Sequence, residues 1–188
     1  MLNKFSAYLH KIATLQNTLI FLLLFFLTVS LVFPFIGGLL GLPEELESAD
    51  TTYFYSANDL YEIIETYDEP SRRASAIFHF TADLIFPLVY LFSFGTLISL
   101  TLSRGFPNTD WLRRANLVPF WLLIFDLLEN SGLAFLFLRY PQQHMGLARL
   151  TSFISAIKWC LSGLTVLLVA IGLLGMLYRA FSKSSPVT

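Results

Sequence analysis

The sequence of 188 residues contains a single cysteine, Cys160, which excludes a disulfide framework and a thiolate metal cluster. Charged residues are also scarce, at 13% of the chain, whereas 55% of the residues are hydrophobic and 16% are aromatic. No glycine-rich loop of the kind that cradles phosphates is present, nor any basic stripe of the kind that binds nucleic acid. The composition is typical of a membrane protein, with membrane lipids as partners and no nucleic-acid partner.

Four apolar stretches are long enough to cross a bilayer, whose hydrocarbon core of about 30 Å needs about 20 helical residues. They cover approximately residues 19–42, 74–102, 117–138 and 150–177. The first stretch is much longer than the roughly 7 to 15 apolar residues of a secretory signal, so we interpret it as a retained helix. The predicted fold is all-α, a single integral membrane domain over residues 1–188 that forms a four-helix transmembrane bundle.

Charge is distributed unequally between the connecting segments. Seven lysines and arginines fall on the side of both termini, and four fall on the other side. Because cytoplasmic loops are enriched in Lys and Arg, both termini are predicted to be cytoplasmic. The outer side then carries one long acidic loop, residues 43–70, whose nine carboxylates are Glu44, Glu45, Glu47, Asp50, Asp59, Glu62, Glu65, Asp68 and Glu69.

The acidic loop contains one segment with helical periodicity, residues 56–67. Ser56 and Asp59 fit a capping box at its start. Its acidic face argues against binding to anionic headgroups, so a cap over the bundle is favoured over a membrane anchor. The sequence therefore predicts a short amphipathic helix in the first outer loop, with its apolar positions at Leu60, Ile63, Ile64 and Tyr67.

Polar side chains interrupt three of the four spans. In 126-DLLEN-130, Asp126, Glu129 and Asn130 project from one side of the third span, although a charge near the bilayer centre costs at least about 2.5 kcal/mol. In the fourth span, hydroxyl residues at spacings of three and four flank a single cation, and such a stripe is expected to face neighbouring helices. The members of this stripe are Thr151, Ser155, Lys158, Ser162 and Thr165.

The second span places His79 and Asp83 one turn apart, with Pro87 and Tyr90 continuing the same face. Because Pro87 has no N–H, the carbonyl oxygen of Asp83 loses its helical donor. We therefore predict a kink at this point, with a bare acceptor beside the carboxylate.

The depth of these residues suggests that they meet. At 1.5 Å per helical residue, Asp83, Glu129 and Lys158 each lie about 15 Å below an arginine at the outer end of their span. Asp126 is a turn deeper and His79 a turn higher. Three carboxylates against one lysine leave two surplus negative charges, which must be neutralised by a proton, water, a cation or a ligand.

These residues form the predicted site. Asp83, Asp126 and Glu129 are the candidate catalytic acids and bases, and Lys158 is their charge partner. A metal site built from His79, Asp83 and Glu129 is disfavoured because the lysine competes for the carboxylates, so neither a metal nor a cofactor is predicted. The candidate ligand-binding residues are His79, Tyr90, Asn130, Ser155, Trp159 and Ser162.

The segments 83-DLIFP-87, 126-DLLEN-130 and 157-IKW-159 resemble the pattern of small, functionally uncharacterised four-helix membrane proteins of bacteria. The likeness covers helices two to four and implies a bacterial inner-membrane protein, without an activity to transfer. In having acids buried at one level of a small bundle, the chain is also similar to the sterol isomerase and sigma-2 receptor group. The helix motifs of that group are not matched residue by residue, so no site is carried over.

Three functions are compatible with this pattern. The first is a site open to the outer side that binds or transforms a lipid-like or isoprenoid small molecule, so that enzymatic activity is left open. The second is a structural or assembly protein whose polar network only fixes helix packing. The third is a subunit of a proton or cation pathway, as a homo-oligomer because one small bundle has little room for a pore.

Overall fold

The chain is all-α in the computed structural model, which describes residues 1–43 and 48–184. Glu44, Glu45 and Glu47 of the acidic loop lie outside the described residues, as do the side chains of residues 110, 111, 183 and 184. The described ranges contain eight α-helices and no strand. We label them α1 (Leu2–Ile12), α2 (Leu15–Leu27), α3 (Phe33–Leu40), α4 (Ala57–Thr66), α5 (Glu69–Phe80), α6 (Ala82–Gly105), α7 (Val118–Arg139) and α8 (Met145–Ser184).

Four helical stretches are long and apolar enough to cross a membrane, which confirms the prediction of a four-helix membrane protein. The first joins α2 to α3 through one π-helical turn, Thr28–Val32. Each stretch begins four or five residues before the predicted apolar run because helical hydrogen bonding extends into the preceding residues. The four stretches are Leu15–Leu40, Glu69–Gly105, Leu112–Arg139 and Met145–Ser182.

The chain forms two compact units. Unit 1 comprises Met1–Phe25, Val89–Trp121 and Leu161–Thr188, and unit 2 comprises Phe26–Leu88 and Leu122–Cys160. By sequence, unit 1 contains seven lysines and arginines against one aspartate, a formal charge of +6. Unit 2 contains five lysines and arginines against twelve carboxylates, a formal charge of −7. The charges of the chain are therefore strongly partitioned between the units.

In unit 1, a buried asparagine fixes the N-terminal helix α1, which the sequence analysis did not predict. The Ser6 hydroxyl donates to Asn116 Oδ1 at 2.7 Å, and Asn116 Nδ2 donates to the Ser6 carbonyl at 3.1 Å and to Ser99 Oγ at 2.8 Å. Asn116 is completely buried. Because its amide is satisfied by two separate elements, it ties α1 to α6 as a hydrogen-bonded junction.

In unit 2, α4 is the amphipathic helix predicted in the outer loop. Its capping box is formed: the Ser56 N–H donates to Asp59 Oδ2 at 2.8 Å, and the Asp59 N–H donates to Ser56 Oγ at 3.2 Å. These hydrogen bonds to Ser56 hold the pKa of Asp59 below its usual value. The apolar face of α4 is buried and shares a core with α7, in which the Tyr67 and Phe137 rings lie 5.1 Å apart.

The second span is interrupted at a position that the sequence analysis did not predict. Pro87, where we predicted a kink, lies inside α6, whereas the helix is interrupted at Thr81, with φ −121° and ψ −80°. The Thr81 hydroxyl donates to the Ile77 carbonyl at 2.7 Å, while the Thr81 N–H turns to the Phe78 carbonyl at 3.1 Å. The side chain thus takes the acceptor that the backbone N–H would use in a continuous helix.

Two glycines, one in α8 and one in α7, allow close helix contacts. A Cβ atom on Gly172 would lie 2.2 Å from Thr101 Oγ1 in unit 1. A Cβ atom on Gly132 would lie 2.3 Å from Thr151 Oγ1 in unit 2. Because these distances are far below van der Waals contact, neither position accommodates a side chain without displacement of its neighbour.

We expect Gly172→Ala and Gly163→Ala, both within α8, to change stability in opposite directions. Gly172→Ala should lower the free energy of unfolding by about 1 to 3 kcal/mol because the added methyl group overlaps Thr101. At Gly163 no atom lies within 4 Å of the added Cβ, so alanine should raise it by up to about 1 kcal/mol. Unfolding of the purified protein in detergent measures both, and equal effects would contradict the close contact.

Candidate functional site

The structure brings most of the predicted site residues together in unit 2. They come from four helices, α5, α6, α7 and α8, and each is at most 9% exposed. This burial is unusual for ionisable groups, which are almost never fully buried unless they are paired. The residues are His79 and Asp83, then Asp126, Glu129 and Asn130 of α7, and Ser155 and Lys158 of α8.

Lys158 is the centre of the first part of the site. Its Nζ atom lies 2.5 Å from Glu129 Oε2 and 3.7 Å from Asp126 Oδ1. The same ammonium donates to the backbone carbonyl of Asp50 at 2.8 Å. The lysine therefore joins α8 to two carboxylates of α7 and to the outer loop.

Tyr55 completes the coordination of Glu129. The Tyr55 hydroxyl donates to Glu129 Oε1 at 2.9 Å, so both oxygens of this fully buried carboxylate are engaged. Burial, and after it the charge of Glu129, raises the pKa of Tyr55. The phenol therefore stays protonated and acts as a hydrogen-bond donor toward the carboxylate.

His79 and Asp83 form the second part of the site. His79 Nδ1 lies 2.9 Å from Asp83 Oδ2, across one helical turn and the break at Thr81. The Asp83 backbone carbonyl, which Pro87 deprives of its helical donor, accepts a hydrogen bond from Asn130 Nδ2 at 3.2 Å. The acceptor that we predicted is present, but it is bonded to Asn130 instead of being bare. The proline thereby creates an attachment point between α6 and α7.

Asp50 joins this second part from the outer loop, and the sequence analysis missed it. One ligand atom from each of Asp50, His79 and Asp83 lies within 4.8 Å of the other two, which is a spacing that a metal ion could bridge. The group differs from the set that we disfavoured, because Asp50 replaces the lysine-bound Glu129. Desolvation opposes ionisation of Asp50, but the charges of His79 and Lys158 together with the hydrogen bond from Ser48 lower its pKa.

The charge of the site is not balanced by its described residues. Four carboxylates, those of Asp50, Asp83, Asp126 and Glu129, meet one lysine and one histidine. Even with His79 protonated, two negative charges are in surplus. Within the described part of the chain, the buried atoms Asn130 Oδ1 and Trp159 Nε1 also have no hydrogen-bond partner. Unsatisfied groups of this kind are typical of positions that water or a ligand occupies.

Three further predicted residues have different positions. Trp159 belongs to unit 2, where its ring centroid lies 4.1 Å from that of Tyr53 and 5.2 Å from Lys158 Nζ, within the range of a cation–π contact. Tyr90, which is buried, and Ser162, which is half-buried, belong to unit 1. The aromatic wall beside Lys158 is therefore made of Trp159 and the loop residue Tyr53.

The arrangement can support acid–base chemistry. It contains a phenol hydrogen-bonded to a carboxylate and an imidazole hydrogen-bonded to another, which together offer proton donors and acceptors within one buried region. Desolvation strengthens each of these interactions because the local dielectric constant is low. The pair suited to proton transfer is His79 with Asp83, whereas Tyr55 orients the Glu129 carboxylate as a hydrogen-bond donor.

Comparison with known proteins assigns no family to the chain. No protein-family model matches it, and neither a curated protein nor a solved structure matches it significantly. The resemblance to small bacterial four-helix membrane proteins therefore stays a prediction from the sequence, and the geometry of the site carries the functional argument.

Proposed function

We propose that the site of unit 2 binds or transforms a lipid-like or isoprenoid small molecule. The observation that supports this function is the surplus of two negative charges among the buried and half-buried residues of the site. Isolated buried charges cost several kcal/mol each, so a site that served packing alone would gain from having fewer carboxylates. A ligand that carries hydrogen-bond donors or positive charge would offset this cost.

The surroundings favour a ligand with an apolar body. Near the site, α6 and α7 present exposed apolar side chains, including Leu84, Ile85, Leu88 and Leu128, each between 48% and 63% exposed. In a membrane these side chains face lipid, so a lipid-like molecule would reach this region at high local concentration. A ligand with a polar head and an apolar tail matches both the buried polar cluster and the surface beside it.

Asp83, Asp126 and Glu129 are the proposed acids and bases, with Lys158 as charge partner, and Asp50 and Tyr55 complete the set. His79 is positioned to exchange a proton with Asp83, and Tyr55 holds Glu129 in place as a hydrogen-bond donor. The aromatic wall of Trp159 and Tyr53 would contact the apolar part of the ligand. Whether the site catalyses a reaction or only binds depends on the ligand.

Entry requires the outer loop to move. Two hydrogen bonds, from Lys158 to the Asp50 carbonyl and from Tyr55 to Glu129, hold the segment 48–56 over the site. Both bonds end on residues that a polar ligand head would contact. Binding would therefore replace loop contacts by ligand contacts. The displaced segment 48–56 would remain attached to α4, whose capping box stays formed.

A purely structural function is the second candidate. It is favoured by the engagement of both Glu129 oxygens and by the hydrogen bond from Asn130 to the Asp83 carbonyl, which fix helices without a ligand.

A proton pathway is less well supported. In unit 1 the buried hydroxyls of Ser93, Thr96, Ser99 and Thr101 each donate to a carbonyl four residues earlier in α6, at 2.6 to 2.8 Å, so they do not form a chain of donors.

We further propose that both termini are cytoplasmic, in a bacterial inner membrane, which would place α4 and the acidic loop on the outer side. The Lys and Arg distribution supports this orientation. A reporter that is active only in the cytoplasm should be active when fused to the C-terminus and inactive when inserted after Leu42. The reverse pattern would refute the orientation.

Glu129→Gln is expected to weaken ligand retention strongly. The glutamine amide has no negative charge, so it loses the charged hydrogen bonds with Lys158 and Tyr55 that arrange the site. Hydrogen bonds to charged groups contribute about 1.5 to 3 kcal/mol each. The amount of any co-purifying lipid or small molecule, measured by mass spectrometry, should fall roughly tenfold or more.

The matched control is Glu65→Gln, which neutralises an exposed carboxylate of α4 in the same unit and should leave the co-purifying species unchanged. Equal retention by the wild type and Glu129→Gln, with both proteins folded, would contradict the proposed site.

A double variant separates binding from packing. Lys158→Met alone should cost about 3 to 5 kcal/mol of unfolding free energy, because it leaves Glu129 charged and buried without its cation. Adding Glu129→Gln should restore most of this loss. Thermal unfolding measures stability, and mass spectrometry of the same samples measures ligand retention. A stable double variant that has lost the ligand supports the proposal, whereas one that keeps both the ligand and full stability supports the structural function.

A further inference from the structure

Unit 1 contains two cavities lined by basic residues, and the site of unit 2 does not involve them. The larger, of about 330 Å³, is lined by Ser103, Arg104, Met176, Arg179 and Ala180. The smaller, of about 150 Å³, is lined by His10, Ser103 and Arg113 among others. Because Ser103 lines both, the two cavities are neighbours.

A close contact between α6 and α8 brings the arginines of the larger cavity together. A Cβ atom on Gly105 would lie only 3.0 Å from the backbone of Gly175 and Met176, so the two backbones touch where α6 ends. Arg104 precedes this contact, and Arg179 follows it by one turn. Arg179 Nη1 donates to the Arg104 carbonyl at 3.2 Å, which holds its guanidinium at the cavity.

No carboxylate lines either cavity in the part of the chain that the structure describes. By sequence, Asp110 is the only acidic residue of unit 1, against seven lysines and arginines. Two guanidinium groups beside one cavity repel each other, and an anion between them would remove this repulsion. Guanidinium groups bind phosphate through paired N–H donors, so phosphate chemistry fits these residues best.

The position of the cavity favours a lipid as the source of the phosphate. Arg104 and Arg179 lie at the ends of two membrane-spanning stretches, Glu69–Gly105 and Met145–Ser182, which is the level of the headgroups. The adjoining surface of α8 is strongly apolar, with Leu174, Tyr178 and Phe181 between 66% and 75% exposed. A headgroup at the arginines would therefore have its acyl chains along α8.

We propose that the cavity of Arg104 and Arg179 binds the headgroup of an anionic phospholipid. Arginines at the ends of spans also set orientation in the membrane. Setting the orientation requires only the positive charge of the two arginines, so it predicts no preference of this cavity for one headgroup. Selective binding that depends on these two residues is the property that distinguishes a lipid site.

The test uses the full-length protein, stripped of lipid in detergent and titrated with phosphatidylglycerol or phosphatidylcholine, with bound lipid counted by native mass spectrometry. The wild type should bind phosphatidylglycerol about tenfold or more tightly than phosphatidylcholine, since each surface arginine contributes roughly 1 kcal/mol toward an anionic lipid. Arg104→Gln combined with Arg179→Gln should reduce the preference to less than about twofold.

The matched control is Arg139→Gln combined with Arg149→Gln, which removes two exposed arginines of unit 2 and should keep the preference. Equal loss in both double variants, or no preference in the wild type, overturns the proposal. Competition by millimolar glycerol phosphate as effective as that by the lipid would instead identify a soluble phosphate ligand and also overturn it. If the double variant does not fold, Arg104→Gln alone must reduce the preference at least about threefold, half of the expected free energy.

Discussion

Unit 2 depends on one buried ion pair, that between Lys158 and Glu129. Its two charges lie 2.5 Å apart and both side chains are buried, so either alone would be strongly unfavourable. Around the pair, Tyr55 donates a hydrogen bond to Glu129 and the Asp50 carbonyl accepts one from Lys158. The outer loop is therefore attached to the helices through the same two side chains that attach the helices to each other, and loop position and helix packing are coupled.

Much of this organisation was predictable because membrane helices obey strong local rules. Four spans follow from apolar length, α4 follows from its periodicity and capping box, and the meeting of Glu129, Asp126 and Lys158 follows from counting residues at a constant rise. In each case the determining interaction lies within one helix or repeats with a fixed period, so neighbouring residues in the sequence carry the information.

The features that were missed depend on contacts distant in sequence. Asp50 lies 108 residues from Lys158 and Tyr55 lies 74 residues from Glu129, in a segment without periodicity. The position of Tyr55 directly before the cap of α4 was the one available signal. At the break, the Thr81 hydroxyl and the Thr81 N–H compete for the Ile77 carbonyl, and the hydroxyl takes it. Helix propensity does not predict the outcome of this competition. Proline was the stronger local signal, and it proved compatible with a continuous α6.

The pairing of Asn130 with the carbonyl that Pro87 leaves free has a consequence for substitutions at either position. With alanine in place of the proline, a backbone N–H would compete with the Asn130 amide for the Asp83 carbonyl. With leucine in place of the asparagine, that carbonyl would lose the Asn130 donor in addition to its helical donor. The two positions lie on different helices and 43 residues apart, yet the effect of a substitution at one on stability depends on the residue at the other.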